Sequence, residues 1–153
     1  MKTITLTNGK EIELNQAFNM DCLEFMKMLP DKCIDLVLTD PPYGVNQGGG
    51  TNKTRGKLAT SQDYKDYNDK HPLSKEHFQE MIRVSRHQIF FGANHYISLI
   101  PFDSSSWLVW DKLNGETDFA DCELAWTSHK TAVRKYEFRW QGMLQGNMKN
   151  KEK

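Results

Sequence analysis

The run "CIDLVLTDPPYG" at residues 33–44 constrains the fold more than any other stretch. Its first half is a series of β-branched and leucine side chains broken only by Asp35. Such a run reads as a strand buried on both faces, the kind found in parallel sheets flanked by helices. Its second half closes the strand abruptly. Pro41 and Pro42 donate no backbone hydrogen bond and fix φ, so the ladder cannot continue beyond Asp40. A plain strand-ending turn takes one proline and then prefers glycine or asparagine. Two prolines between a carboxylate and an aromatic ring give a rigid, pre-shaped backbone with Asp40 and Tyr43 at its tip.

The surrounding pattern fits an α/β chain. "KTITLTNGKEIEL" alternates and turns at Asn8-Gly9, the signal for a two-residue type I′ hairpin, with strands over about 2–7 and 10–14. "QAFNM" reads as a short strand. "DCLEFMKMLP" reads as a short helix with Asp21 as N-cap, Glu24 three residues on and Pro30 closing the segment. Strand, helix and strand with continuous apolar runs predict a parallel sheet. "LSKEHFQEMIRVSR" is an amphipathic helix with Phe78, Met81, Ile82 and Ser85 on one face. "HQIFFGA", "SSWLVWDK", "CELAWTSH" and "AVRKYEFRWQ" read as further strands, the middle two split by the turn-like "LNGETDFAD". The stretch of about 44–72 has no period and three adjacent glycines; a segment this long is either a functional loop or a disordered insertion.

Composition narrows the class. The 153 residues fit one domain, 38% hydrophobic and 26% charged, as in a soluble globular protein. No apolar run approaches the roughly 20 residues of a membrane span, so no membrane partner is expected. Cys22, Cys33 and Cys122 form no CxxC pair, and three thiols without an apolar leader suggest a reduced, cytoplasmic setting. The five histidines show no ligand spacing, and no metal is expected. The glycines at 48–50 do not make a Walker loop, because the spacing is wrong and Leu58 follows Lys57. Twenty basic and twenty acidic residues cancel, but Thr127 to Lys153 holds seven Lys/Arg against two acids. That surplus suits phosphate contact or an ordinary solvated terminus.

Open α/β sheets bind ligands at the carboxyl ends of their strands, where Asp40 falls. Asp40 and the Pro41 carbonyl are two acceptors, and Tyr43 is a flat ring. Together they suit a planar group carrying an NH2, the obvious case being a nucleobase amine. Its lone pair is delocalised into the ring. Two acceptors on its two hydrogens favour the pyramidal form and direct the lone pair at an electrophile. Such a base must leave the helical stack, and an aromatic face stabilises it once out.

These residues carry a resemblance. "DPPY" after an apolar strand is similar to the signature of amino-group DNA methyltransferases. "NMDCLEFMKMLPDKCIDLVLTDPPYG", "FFGANHY", "WLVWDK", "DCELAWTSH" and "FRWQGMLQG" resemble, in order, segments of phage and bacterial members, from Phe18 nearly to the end. The resemblance implies a Rossmann-like methyltransferase sheet with an N-terminal β-hairpin, S-adenosylmethionine as cofactor and double-stranded DNA as substrate. It implies methylation of adenine N6 of the restriction–modification kind, or alternatively of cytosine N4. Asp40, Pro41, Pro42 and Tyr43 become the catalytic set, with Asp21 and Asp40 beside the cofactor. Asp21 is equally read as an ordinary helix cap. Lys53, Arg55 and Lys57 become candidate DNA contacts. No cysteine follows a proline, which argues against C5-cytosine chemistry.

The departure from the pattern is as informative. Family members continue into a His-Pro-Thr-Gln-Lys-Pro-like stretch and a Phe-x-Gly-x-Gly turn that wraps the methionine part of the cofactor. Neither occurs in residues 1–153. The expectation is a single partial domain, the catalytic half, inactive or weakly active alone. It would form a homodimer or pair with a complementary chain supplying the missing half. The rival of another class is a non-catalytic fragment that binds DNA or a partner.

Overall fold

The computed structural model describes residues 2–44, 72–115, 120–141 and 144–145. The chain opens with the expected hairpin, β1 (Thr3–Thr5) against β2 (Glu11–Glu13), with Ile4 opposite Ile12. Its turn differs from the expected one. Only Gly9 takes a positive φ, +82°, whereas a type I′ turn needs two such residues. Gly9 N–H donates to the Leu6 carbonyl at 2.9 Å and Leu6 N–H to the Lys10 carbonyl at 2.8 Å, closing a three-residue loop over Thr7, Asn8 and Gly9. The Asn8 side chain accepts from Lys10 N–H at 3.0 Å, which leaves Asn8 in ordinary backbone space.

Residues 16–20, expected as a strand, carry no ladder. Phe18 and Met20 are exposed, and Phe18 instead stacks on Phe25 at 4.9 Å. Helix α1 (Cys22–Met28) follows, with Asp21 in extended conformation accepting from the N–H groups of Leu23 and Glu24. Strand β3 (Ile34–Thr39) stops immediately before Asp40 and the two prolines. Helix α2 (Lys75–Val84) runs straight into β4 (Ser85–Phe91). Two short 3₁₀ turns, Ala93–His95 and Ile97–Leu99, lead to β5 (Trp107–Asp111), β6 (Cys122–Thr127) and β7 (Arg134–Glu137). The expected final strand 132–141 is divided: β8 (Trp140–Gln141) pairs with β9 (Leu144–Gln145).

The main sheet has the order β3-β4-β6-β5-β7. Strand β4 lies parallel to β3 and β7 parallel to β5, but β6 is antiparallel to both its neighbours. The sheet is therefore mixed and not parallel as expected. The cause is connection length. A parallel crossover needs a dozen or more residues, usually helical, and residues 112–121 alone link β5 to β6.

The core forms where α2 lies on the sheet. Phe78, Met81 and Val84 are the buried side chains of α2, at the spacing of one helical face. Phe78 meets Phe90 edge-on at 5.4 Å, and Phe90 stacks on Trp126 at 5.4 Å. Each such side chain contributes about 1.5–3 kcal/mol through burial. A second cluster of Leu6, Leu29 and Val84 joins the hairpin and α1 to α2. Arg83 fastens the two helices. Its guanidinium donates to the carbonyls of Met26 and Leu29 at 2.7 and 2.9 Å and pairs with Asp31 at 2.6 Å and Glu80 at 2.7 Å.

Candidate functional site

The carboxyl ends of β3 and β4 lie side by side, with Thr39 opposite Phe90. The residues after each strand therefore share one end of the sheet. Asp40 emerges exposed, Pro41 is buried beneath it, Pro42 is exposed and Tyr43 is half-buried. The Tyr43 hydroxyl donates a short hydrogen bond to Asp40 Oδ1. Its ring stacks on His95 at 4.6 Å and 15°, and tilts against Tyr96 at 6.2 Å. Burial first, and then the bond to Asp40, hold the Tyr43 phenol protonated, above its ordinary range. Tyr96 is likewise held protonated by burial, and its hydroxyl donates to the Phe91 carbonyl.

Gly92 makes this packing possible. It takes φ +66°, in the left-handed region that favours glycine. A Cβ at that position would stand 2.1 Å from Tyr43 Cε1 and 2.2 Å from Cζ. The ring thus lies on bare backbone at the turn after β4.

The antiparallel β6 and the parallel pair β5 and β7 bring more groups to the same end. Register places Trp110 beside Glu123 and Asp111 beside Cys122. Lys112 is buried, ion-paired with Glu123, and lies 5.3 Å from the Trp110 ring and 5.4 Å from the Trp140 ring. Glu123 also adds to the field that keeps Tyr43 protonated.

The structure thus gathers Asp40, Pro41, Pro42 and Tyr43 into one group. Asp21 stands apart as the cap of α1. Both its accepted bonds, at 2.9 and 3.0 Å, go to Oδ1, so Oδ2 retains acceptor capacity. Asp21 does not end a strand, contrary to expectation, because residues 16–20 form none. Lys53, Arg55 and Lys57 lie outside the described residues. Sequence reasoning gave no role to Gly92, His95, Glu123 or Lys112. The segments "FFGANHY" and "WLVWDK" had stood out, but nothing in them showed that one would seat the Tyr43 ring.

A mixed α/β sheet with an acidic and aromatic group at the carboxyl end of one strand is compatible with a Rossmann-like fold. No family model matches the chain. The chain is similar to the type II methyltransferase M.HinfI of Haemophilus influenzae, at 23% identity over 162 residues. The match takes in 92% of this chain and 45% of that protein, so the chain spans about half the length of that relative.

Proposed function

We propose that this chain carries the catalytic strand of an S-adenosylmethionine-dependent DNA methyltransferase that modifies adenine N6. The observation that carries the reading is the exposed Asp40 carboxylate at the tip of β3, next to the Pro41 carbonyl and bonded to a ring-anchored Tyr43. The likeness to M.HinfI supports it. Asp40 and the Pro41 carbonyl accept the two amine hydrogens of an extruded base and localise the nitrogen lone pair. Tyr43 offers its ring to the base, braced from behind by His95 and Gly92. S-adenosylmethionine, when bound, supplies the electrophilic methyl group. The free Oδ2 of Asp21 and the exposed Asp40 are acceptors of the kind its ribose and ammonium groups require. Cytosine N4 suits the same two acceptors, and the identity of the methylated nucleoside separates the two substrates.

Association with a second chain belongs to the same proposal. Among the described residues β3 is paired on one side only, and Leu36 and Leu38 on one of its faces are 43% and 61% exposed. An apolar face and an open ladder edge favour a covering partner. Light scattering at low concentration tests this; a folded monomer would remove it. The function itself is tested by titrating S-adenosylmethionine into the protein and by following labelled methyl into duplex DNA. Weak or no transfer is expected from residues 1–153 alone, and binding and transfer once a chain supplying the Phe-x-Gly-x-Gly turn is added. A folded protein that neither binds nor transfers in that second setting would overturn the proposal.

A further inference from the structure

The opposite end of the sheet carries a cleft of about 530 Å³. Strand β4 leaves α2 at Ser85, so Arg86 and His87 stand at its beginning. Strand β6 runs antiparallel, with Ile89 opposite Thr127, so Ser128, His129 and Lys130 return to the same place. Lys32 completes the wall. Five of the lining residues are basic types and none is acidic.

The donors there are built in. The His87 and His129 rings stack at 4.4 Å and 18°. Gln88 N–H donates to Ser128 Oγ at 2.9 Å, which leaves the Ser128 hydroxyl hydrogen to be given elsewhere. Lys32 Nζ donates to the carbonyls of Ile82 and Ser85 at 2.7 and 2.9 Å, holding one cation in place with a third hydrogen to offer. Arg86 meets Asp35 only at 3.6 Å, with both side chains exposed, a contact worth little in water. Lys130 has no ion pair among the described residues.

We propose that this cleft binds the phosphate group of a phosphorylated ligand. Its positive wall and its imidazole, hydroxyl, ammonium and guanidinium donors match a tetrahedral dianion. Its volume lies within the range of small-molecule sites, about 300–1,000 Å³, and exceeds what one phosphate fills. The remainder of the ligand lies along Phe102, a 45% exposed ring steadied edge-on by Trp126 at 5.3 Å. The distance along β4 from His87 to Gly92 is about 17 Å, so the cleft is separate from the Asp40 end and stands without the methyltransferase reading.

The test follows the His87 and His129 Cε1 proton signals while inorganic phosphate is added at constant ionic strength. A saturable shift is expected at pH 8, where inorganic phosphate is mainly the dianion, weakened at least tenfold in Arg86→Ala/Lys130→Ala, which retains both reporter rings. Lys130→Glu, at an exposed position, should weaken it similarly and serves if the double variant misfolds. Shifts no larger than those from chloride, or equal affinity in the variants, would overturn the proposal. Adding a DNA duplex names the source of the phosphate. Displacement of inorganic phosphate from the same signals assigns the cleft to a nucleic-acid backbone, and failure to displace it assigns the cleft to a small phosphorylated ligand.

Discussion

Replacing Gly92 by alanine should loosen the Tyr43 anchor and lower both stability and activity. The φ of +66° places alanine in left-handed space, which costs about 1–2 kcal/mol. The new methyl would also sit 2.1 Å from Tyr43 Cε1, where carbon atoms normally approach to about 3.5–4.0 Å. The ring must therefore retreat by more than about 1 Å. Its other neighbour is His95, stacked at 4.6 Å, so retreat disturbs that stack and draws the hydroxyl from Asp40. A hydrogen bond to a charged acceptor contributes about 1.5–3 kcal/mol, and the exposure of Asp40 puts this one at the lower end. The sum is about 3 kcal/mol. For a chain of this size that corresponds to a fall in Tm of about 6–12 °C. Differential scanning calorimetry reads the stability, and near-UV circular dichroism reads the tyrosine environment. A Gly92→Ala protein within about 0.5 kcal/mol of the parent, the spread of a neutral surface change, would refute the close packing of Tyr43 on this turn.

Asp40→Ala should leave the fold intact, because the side chain is exposed, and should reduce methyl transfer by about 10²–10³; calorimetry and a filter-binding methylation assay separate the two effects. Tyr43→Phe should cost less activity than Tyr43→Ala, since it loses the bond to Asp40 but retains the ring, and ring stacking on a base is worth about 1–3 kcal/mol. Equal kinetic damage from the two would assign the hydroxyl and not the ring. The Arg83 guanidinium holds the Glu80 carboxyl below the ordinary carboxylate range. A lowered folded-state pKa gives stability that is present above the unfolded value, about 4.3, and is lost as pH falls through the folded one. Glu80→Gln should therefore destabilise at pH 7 and progressively less below about pH 4, read from urea midpoints.

Local signals were the most legible. Prolines 41 and 42 set the end of β3 at Thr39, and the apolar face of α2 was visible in Phe78 and Met81. The hairpin existed where Asn8-Gly9 placed it, but its turn type depended on an Asn8 side-chain bond that a dipeptide rule does not contain. The sheet direction failed for a similar reason. The apolar run of β3 marked a strand but not its burial, since Leu36 and Leu38 are exposed and no residue of the strand is buried, and the short 112–121 link decides that β5 and β6 are antiparallel. In the candidate site, Asp40 and Tyr43 announced themselves because adjacent residues carry both groups. Gly92 and His95 did not, since their part depends on a contact with a ring far away in sequence. Lys112 did not either, since its part depends on the fold that sets it against Glu123 and two tryptophan rings.

The most direct test is nucleoside analysis of duplex DNA incubated with S-adenosylmethionine and either the parent protein or Asp40→Ala, each combined with a chain supplying the Phe-x-Gly-x-Gly turn and both verified as folded. The proposed chemistry requires N6-methyladenine with the parent and its loss with the variant. DNA that gains no methyl group, gains one at cytosine C5, or is methylated equally by the two proteins would contradict the placement of the reaction at the tip of β3.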